Sequence, residues 1–157
     1  MIGGKTVRSS EVIMTQLVLP THTNSMDTVF GGTVMSWIDV AAAIAAQRHS
    51  NKEVVTASID QLNFIAPIKK GWVVNLRASV NYVSRTSMEV GVRVDAENPK
   101  TSEYFHTASA YLTFVALGSD GKPATVPQLF TETDIEKRRY QAAEERRRLR
   151  LSNRSVK

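Results

Sequence analysis

Cysteine is absent from the 157 residues of the chain. That one absence removes disulfides, thiolate metal sites and a cysteine nucleophile together. Long apolar runs are also missing. The longest, Val40 to Ala46, is far short of the roughly 20 residues that cross a bilayer. The first ten residues, MIGGKTVRSS, carry neither an apolar secretory segment nor the Met-Gly start of a myristoylated chain. A cytoplasmic protein without membrane attachment is the expectation. The three histidines, His22, His49 and His106, show no metal-ligand spacing and are read as structural, so no metal is expected. No Gly-x-Ser-x-Gly elbow occurs, which argues against a serine hydrolase. Walker and dinucleotide fingerprints are missing as well, and no cofactor is expected.

What is present suits one soluble domain with its own core. Hydrophobic residues make up 42% and charged residues 22%. The net charge of +5 is local: residues 134–157 hold nine Lys/Arg against four Asp/Glu, while residues 1–133 hold eleven of each. A basic end of this kind suits a polyanion (nucleic acid, an anionic membrane or a phosphate-rich small ligand such as coenzyme A) or forms a solvated helix. Its arginines, Arg138, Arg139, Arg146, Arg147, Arg148 and Arg150, have no aromatic platform beside them, so nucleic acid is not an expected partner.

Hydrophobic periodicity orders the elements. Val12 to Leu19 reads as a strand ended by Pro20. After a polar loop, Gly31-Gly32 precedes Thr33 to His49, which reads as a helix rich in Ala, Met and Ile. Four alternating runs follow: Val54–Ile65, then Leu76 to Tyr82, Met88 to Val94 and His106 to Phe114. Thr133 to Glu136 fits a capping box before a charged helix running to Leu151. A single apolar helix across a longer antiparallel sheet, an α+β arrangement, is the simplest way to bury both. The expected divisions are a flexible N-terminus (1–10), the domain itself (11–130) and a basic C-terminal helix (131–157).

Two places can carry chemistry. Gly31-Gly32 is either an ordinary tight turn or a helix start whose free N–H groups stabilise a carbonyl gaining negative charge. Asp39 sits among Met35, Ile38, Ala42, Ala43 and Ala46. Desolvation there increases a carboxylate's basicity and suits a general base; alternatively Asp39 belongs to a polar stripe with Ser36, Ala43 and Gln47. Asn24 is by itself a turn former. Arg85-Thr86-Ser87, between two strands, offers a guanidinium fork and hydroxyls for phosphate or amide groups.

In order and spacing, Pro20-Thr21-His22-Thr23-Asn24, Phe30-Gly31-Gly32-Thr33-Val34-Met35 and Trp37-Ile38-Asp39 resemble the signature of the bacterial acyl-CoA hydrolases, which are hotdog-fold thioesterases. Val55 to Asp60, Phe64 and Ser84 to Val90 match further segments, so the likeness spans about residues 11–150. It implies one central helix wrapped by a five-stranded antiparallel sheet, assembled as dimers and often as a trimer of dimers. It implies hydrolysis of an acyl-CoA to the free acid and coenzyme A, with Asp39 as base or nucleophile and Asn24 supplied by the partner subunit. The amides of Gly32 and Thr33 would polarise the thioester carbonyl, and Thr56 would line the site. Asn63, Phe64, Arg85 and Ser87 would contact coenzyme A. Asp27 and Ser84 stand where the family has glycine. Competing readings within the same fold are an acyl-CoA sensor without catalysis and a hydratase or dehydratase.

Overall fold

The computed structural model describes residues 3–154. In chain order the elements are β1 (Lys5–Thr6), β2 (Val12–Leu17), α1 (Gly31–Ser50), β3 (Glu53–Phe64), β4 (Val73–Val83), β5 (Ser87–Asn98), β6 (Glu103–Leu117), β7 (Leu129–Phe130) and α2 (Asp134–Arg154). The five long strands form one antiparallel sheet in the order β2-β4-β5-β6-β3, so β2 and β3 are its edges. This is the hotdog arrangement: α1 packs against every strand of the sheet that curls around it. Among the described residues, no helix is long and apolar enough to cross a membrane.

Alternation along each strand decides which side chains meet α1. Leu76, Ala78 and Val80 of β4 are buried, as are Val90, Val92 and Val94 of β5 and Ala108, Ala110, Leu112 and Phe114 of β6. On α1 they meet Val34, Trp37, Ile38, Ala41, Ala42, Ala45 and Ala46. Four alanines on that stripe bring the helix backbone close to the sheet. The helix is about 30 Å long at about 1.5 Å per residue. It ends at Asn51, a left-handed cap whose N–H donates to Gln47 O.

Two element boundaries, the N-terminus and the last helix differ from what the sequence predicts. The first strand stops at Leu17, two residues before its expected end, and the helix starts at Gly31 rather than Thr33. The N-terminal stretch, expected to be flexible, is held in place from Lys5 onward. Lys5–Thr6 pairs in parallel with Leu129–Phe130, and buried Ser10 accepts a hydrogen bond from Val80 N at 2.9 Å. The last helix docks on the outer face of the sheet, opposite α1. Ala143 is buried, Tyr140 packs on Tyr82 at 4.9 Å between ring centroids, and Arg146 reaches Glu89 at 2.7 Å. Arg150 pairs with Asp60 at 2.9 Å. Those two arginines hold the helix to the sheet, so they are not free to meet the phosphates of a ligand. The capping box forms as expected: Glu136 N donates to Thr133 Oγ1 at 3.1 Å and Thr133 N to Glu136 Oε2 at 2.9 Å.

Candidate active site

Asp39 lies on the third turn of α1, half-buried, at the border of the stripe that packs on the sheet. Thr56 of β3 faces it across the helix–sheet interface and donates Oγ1–H to Asp39 Oδ1 at 2.7 Å. The register explains why Thr56 points that way: it pairs with Phe114, which pairs in turn with Met88, and both are buried beneath α1. A β-bulge directly after Thr56 shifts the pairing to Ser58↔Thr113. A second irregularity between Asp60 and Asn63 places Gln61 at φ 53. The strand that carries Thr56 is therefore locally bent at the point where it meets the helix.

The start of α1 forms a separate group. Neither Gly31 nor Gly32 N–H has a partner among the described residues, and a Cβ at Gly32 would meet nothing within 4 Å. Space for a ligand atom is open beside that amide. The Thr33 N–H differs, since it donates to Phe30 O at 3.0 Å inside the first turn. The Phe64 ring closes one side, 3.7 Å from where a Cβ on Gly31 would stand, and neighbouring Asn63 is exposed with Nδ2 donating to Gln61 O at 3.4 Å.

Asn24 organises the loop ahead of the helix. Its Oδ1 accepts from Met26 N at 2.9 Å, Thr28 N at 3.2 Å and Thr28 Oγ1 at 3.1 Å, while its Nδ2 makes no bond among the described residues. Asp27 takes φ 59, the left-handed conformation open to glycine, and its exposed carboxylate lies 3.5 Å from Lys70. His22 braces the same loop: its Nδ1 accepts from Leu19 N at 3.0 Å, and its ring stands edge-on to Trp37 at 5.1 Å.

Arg85 and Ser87 occupy a third place, the β4–β5 turn. Ser84 N donates to Ser87 O at 2.9 Å, the two hydroxyls lie 2.5 Å apart, and Val126 N donates to Arg85 O at 3.0 Å. The exposed Arg85 borders an open cleft of about 510 Å³ that Gln128, Phe130 and Tyr140 also line. Ser87 is one register step from the Met88–Phe114–Thr56 row. Two strand spacings of about 4.8 Å then separate that turn from β3.

The chain thus brings Asp39 to Thr56 and Phe64 to the helix start, but it does not bring these pairs together. Gly32 and Asp39 are seven residues apart on one straight helix, about 10 Å along its axis. A thioester carbonyl cannot rest on the Gly32 amide while its carbon is attacked from Asp39 of the same chain. Around Asp39 the surface is apolar and uncovered: Met35 and Val40 of α1 are exposed, as are Val55 and Ile59 on edge strand β3.

Comparison with known proteins fits this geometry. The profile of the Thioesterase superfamily matches residues 26–103. The uncharacterized acyl-CoA thioester hydrolase YkhA of Bacillus subtilis is 45% identical over 129 residues, covering 82% of this chain and 75% of that protein. An acyl-CoA hydrolase of Staphylococcus aureus, solved with butyryl coenzyme A, coenzyme A and coenzyme A disulfide, is 39% identical. It superposes with a TM-score of 0.90 over 97% of this chain and 93% of its own. The same hydrolase has been solved with an aspartate, an asparagine or a threonine replaced by alanine. A hexameric acyl-CoA thioesterase solved without ligand is 42% identical, with a TM-score of 0.94 over 99% of this chain and all of its own. By sequence and by fold, the chain belongs to the thioesterase superfamily, alongside the bacterial acyl-CoA thioester hydrolases.

Proposed function

We propose that this protein hydrolyses acyl-CoA thioesters at sites shared between two subunits. The hydrogen bond from Thr56 to Asp39, beside the exposed side chains of Met35, Val40, Val55 and Ile59, is the observation that carries this reading. It leaves Asp39 Oδ2 to take a proton from water, while Thr56 fixes the orientation of the carboxylate. A partner subunit packed on the exposed faces of α1 and β3 would bring its own Gly32 amide and Asn24 amide to face Asp39. That removes the separation of about 10 Å within one chain. The Gly32 N–H would bind the thioester oxygen as it gains charge. The Thr33 N–H, engaged inside the helix turn, has a supporting part. Asn24 Nδ2 would hold the water or the thioester, because Asn24 Oδ1 is already committed to its own loop.

The Staphylococcus aureus hydrolase supports the choice of residues. Its asparagine, aspartate and threonine chosen for alanine replacement are separated by 15 and 17 residues, the same intervals as between Asn24, Asp39 and Thr56. Coenzyme A would run from the helix start past Asn63 and Phe64, with Arg85 and Ser87 meeting its polar groups. A homo-oligomer is part of this reading, with the dimer as the catalytic unit and a trimer of dimers as the full assembly.

Mixed oligomers test it. Asp39→Ala and Asn24→Ala would each be inactive alone. Refolded together, they recover about a quarter of wild-type thiol release, because each mixed dimer restores one intact site. No recovery on mixing, with mixed oligomers shown to form, would place both residues in one chain's site and reject the shared arrangement.

A further inference from the structure

On the outer face of the sheet, away from Asp39, three groups stand in line. His106 Nδ1 lies 3.3 Å from Asp95 Oδ1, and its Nε2 lies 3.0 Å from Ser109 Oγ. Strict alternation would put residues 106 and 109 on opposite faces of β6. A bulge prevents this: pairing runs Val94↔Ala108 and then Asp95↔His106, so Thr107 is an extra residue, held by its hydroxyl's bond to Val94 O at 3.0 Å. Asp95 is 4% exposed, and Arg93 Nε donates to both of its oxygens at 3.1 Å, which fixes the carboxylate against the imidazole. Ser109 opens onto a cleft of about 470 Å³ that Arg77, Arg93, Arg139 and Tyr111 also line. Nucleophile, base and orienting acid therefore have the geometry of an activated serine, and a space for a substrate lies beside it.

We propose that Ser109, His106 and Asp95 form a second nucleophilic site, specific for acyl esters that carry an anionic group. Ser109 Oγ attacks the ester carbonyl while its proton passes to His106 Nε2, and Asp95 accepts a hydrogen bond from the imidazolium Nδ1–H. The tetrahedral intermediate expels the alcohol, which takes that proton from His106. Water, deprotonated by His106, then attacks the acyl-Ser109 ester and releases the acid, restoring the serine. The cleft beside Ser109 presents the guanidinium groups of Arg77, Arg93 and Arg139, and charge on the oxyanion falls to these. Those same groups select the anionic substrate. Deacylation at a site whose oxyanion rests on side-chain cations is slow, and the acyl-serine accumulates.

A fluorophosphonate serine probe tests this on the full-length Asp39→Ala protein, where the thioesterase site is disabled, with the adduct located by peptide mass mapping. The expected result is one adduct on Ser109, lost in Ser109→Ala. In His106→Gln, which keeps the nucleophile, it forms about a hundredfold more slowly. In the Asp39-intact background, Ser109→Ala keeps the thioester hydrolysis of the parent. Absence of an adduct on Ser109, or labelling at an unchanged rate in folded His106→Gln, would overturn the proposal: the chain of hydrogen bonds would then only brace two strands.

Discussion

Replacing Thr56 by valine removes one hydroxyl while keeping a β-branched residue that fits the strand. The hydroxyl lost is the one 2.7 Å from Asp39 Oδ1. A hydrogen bond to a charged group contributes about 1.5–3 kcal/mol. If Asp39 must be held in one orientation to act, that energy appears in the barrier. At about 1.4 kcal/mol per decade, kcat falls by about 10- to 150-fold. Thr56 is exposed on an edge strand, so the fold changes little and the unfolding free energy falls by less than about 1 kcal/mol. Thiol release with a chromogenic disulfide reagent, read as kcat and KM separately, measures the first effect, and a denaturant melt measures the second. Positioning predicts a loss in kcat with KM nearly unchanged. A Thr56→Val protein with wild-type kcat would show that the hydroxyl bonded to Asp39 has no part in its action.

Other consequences concern stability. Burial holds His49 below its ordinary value of 6.5, and Lys5 adds to this, while the bond of Nε2 to Pro127 O at 2.8 Å partly opposes them. The unfolded chain therefore takes up a proton that the folded chain resists, so stability is full above 6.5 and falls as pH drops below it. Denaturant midpoints measured from pH 8 to 5 should show this decline, and His49→Gln should flatten it. Glu89 is buried with Arg146 on it, and the Arg146 guanidinium also lies 3.7 Å over the Tyr111 ring. Glu89→Ala leaves that partly buried charge unmatched and lowers stability by about 2–3 kcal/mol, whereas Glu89→Ala with Arg146→Met loses less. Chemical denaturation of the two variants decides between these. At Asp27, φ 59 predicts that Asp27→Ala is about 1 kcal/mol less stable than Asp27→Gly. Equal melting midpoints for the two would show that the loop relaxes.

The sequence made the strands legible because one face of each must be apolar: Val90, Val92 and Val94 announce their burial by alternation alone. The helix was legible from its alanine-rich run, and its glycine start was placed within two residues. The bulges at Ala57, Gln61 and Thr107 left no such trace. A bulge is an accident of register between two strands, and a single strand's pattern does not contain it. For that reason His106 read as an isolated histidine, although the extra residue Thr107 sets it beside Ser109 and Asp95. The docking of α2 was hidden for a different reason. Besides Ala143 and the Tyr140–Tyr82 pair, it is held by Arg146 on Glu89 and Arg150 on Asp60, and charged residues on a helix look solvated until the partner strand is known. Asp39 could be singled out by the apolar residues around it, but its partner Thr56 emerged only through family likeness.

Thiol release from acyl-CoAs between acetyl and palmitoyl, by the wild type and by Asp39→Ala, tests whether Asp39 drives thioester hydrolysis. The expected result is turnover by the wild type on at least one chain length, lost by about a hundredfold or more in a folded Asp39→Ala oligomer. Wild-type protein that binds coenzyme A yet releases no thiol, or an Asp39→Ala variant that retains its rate, would contradict it.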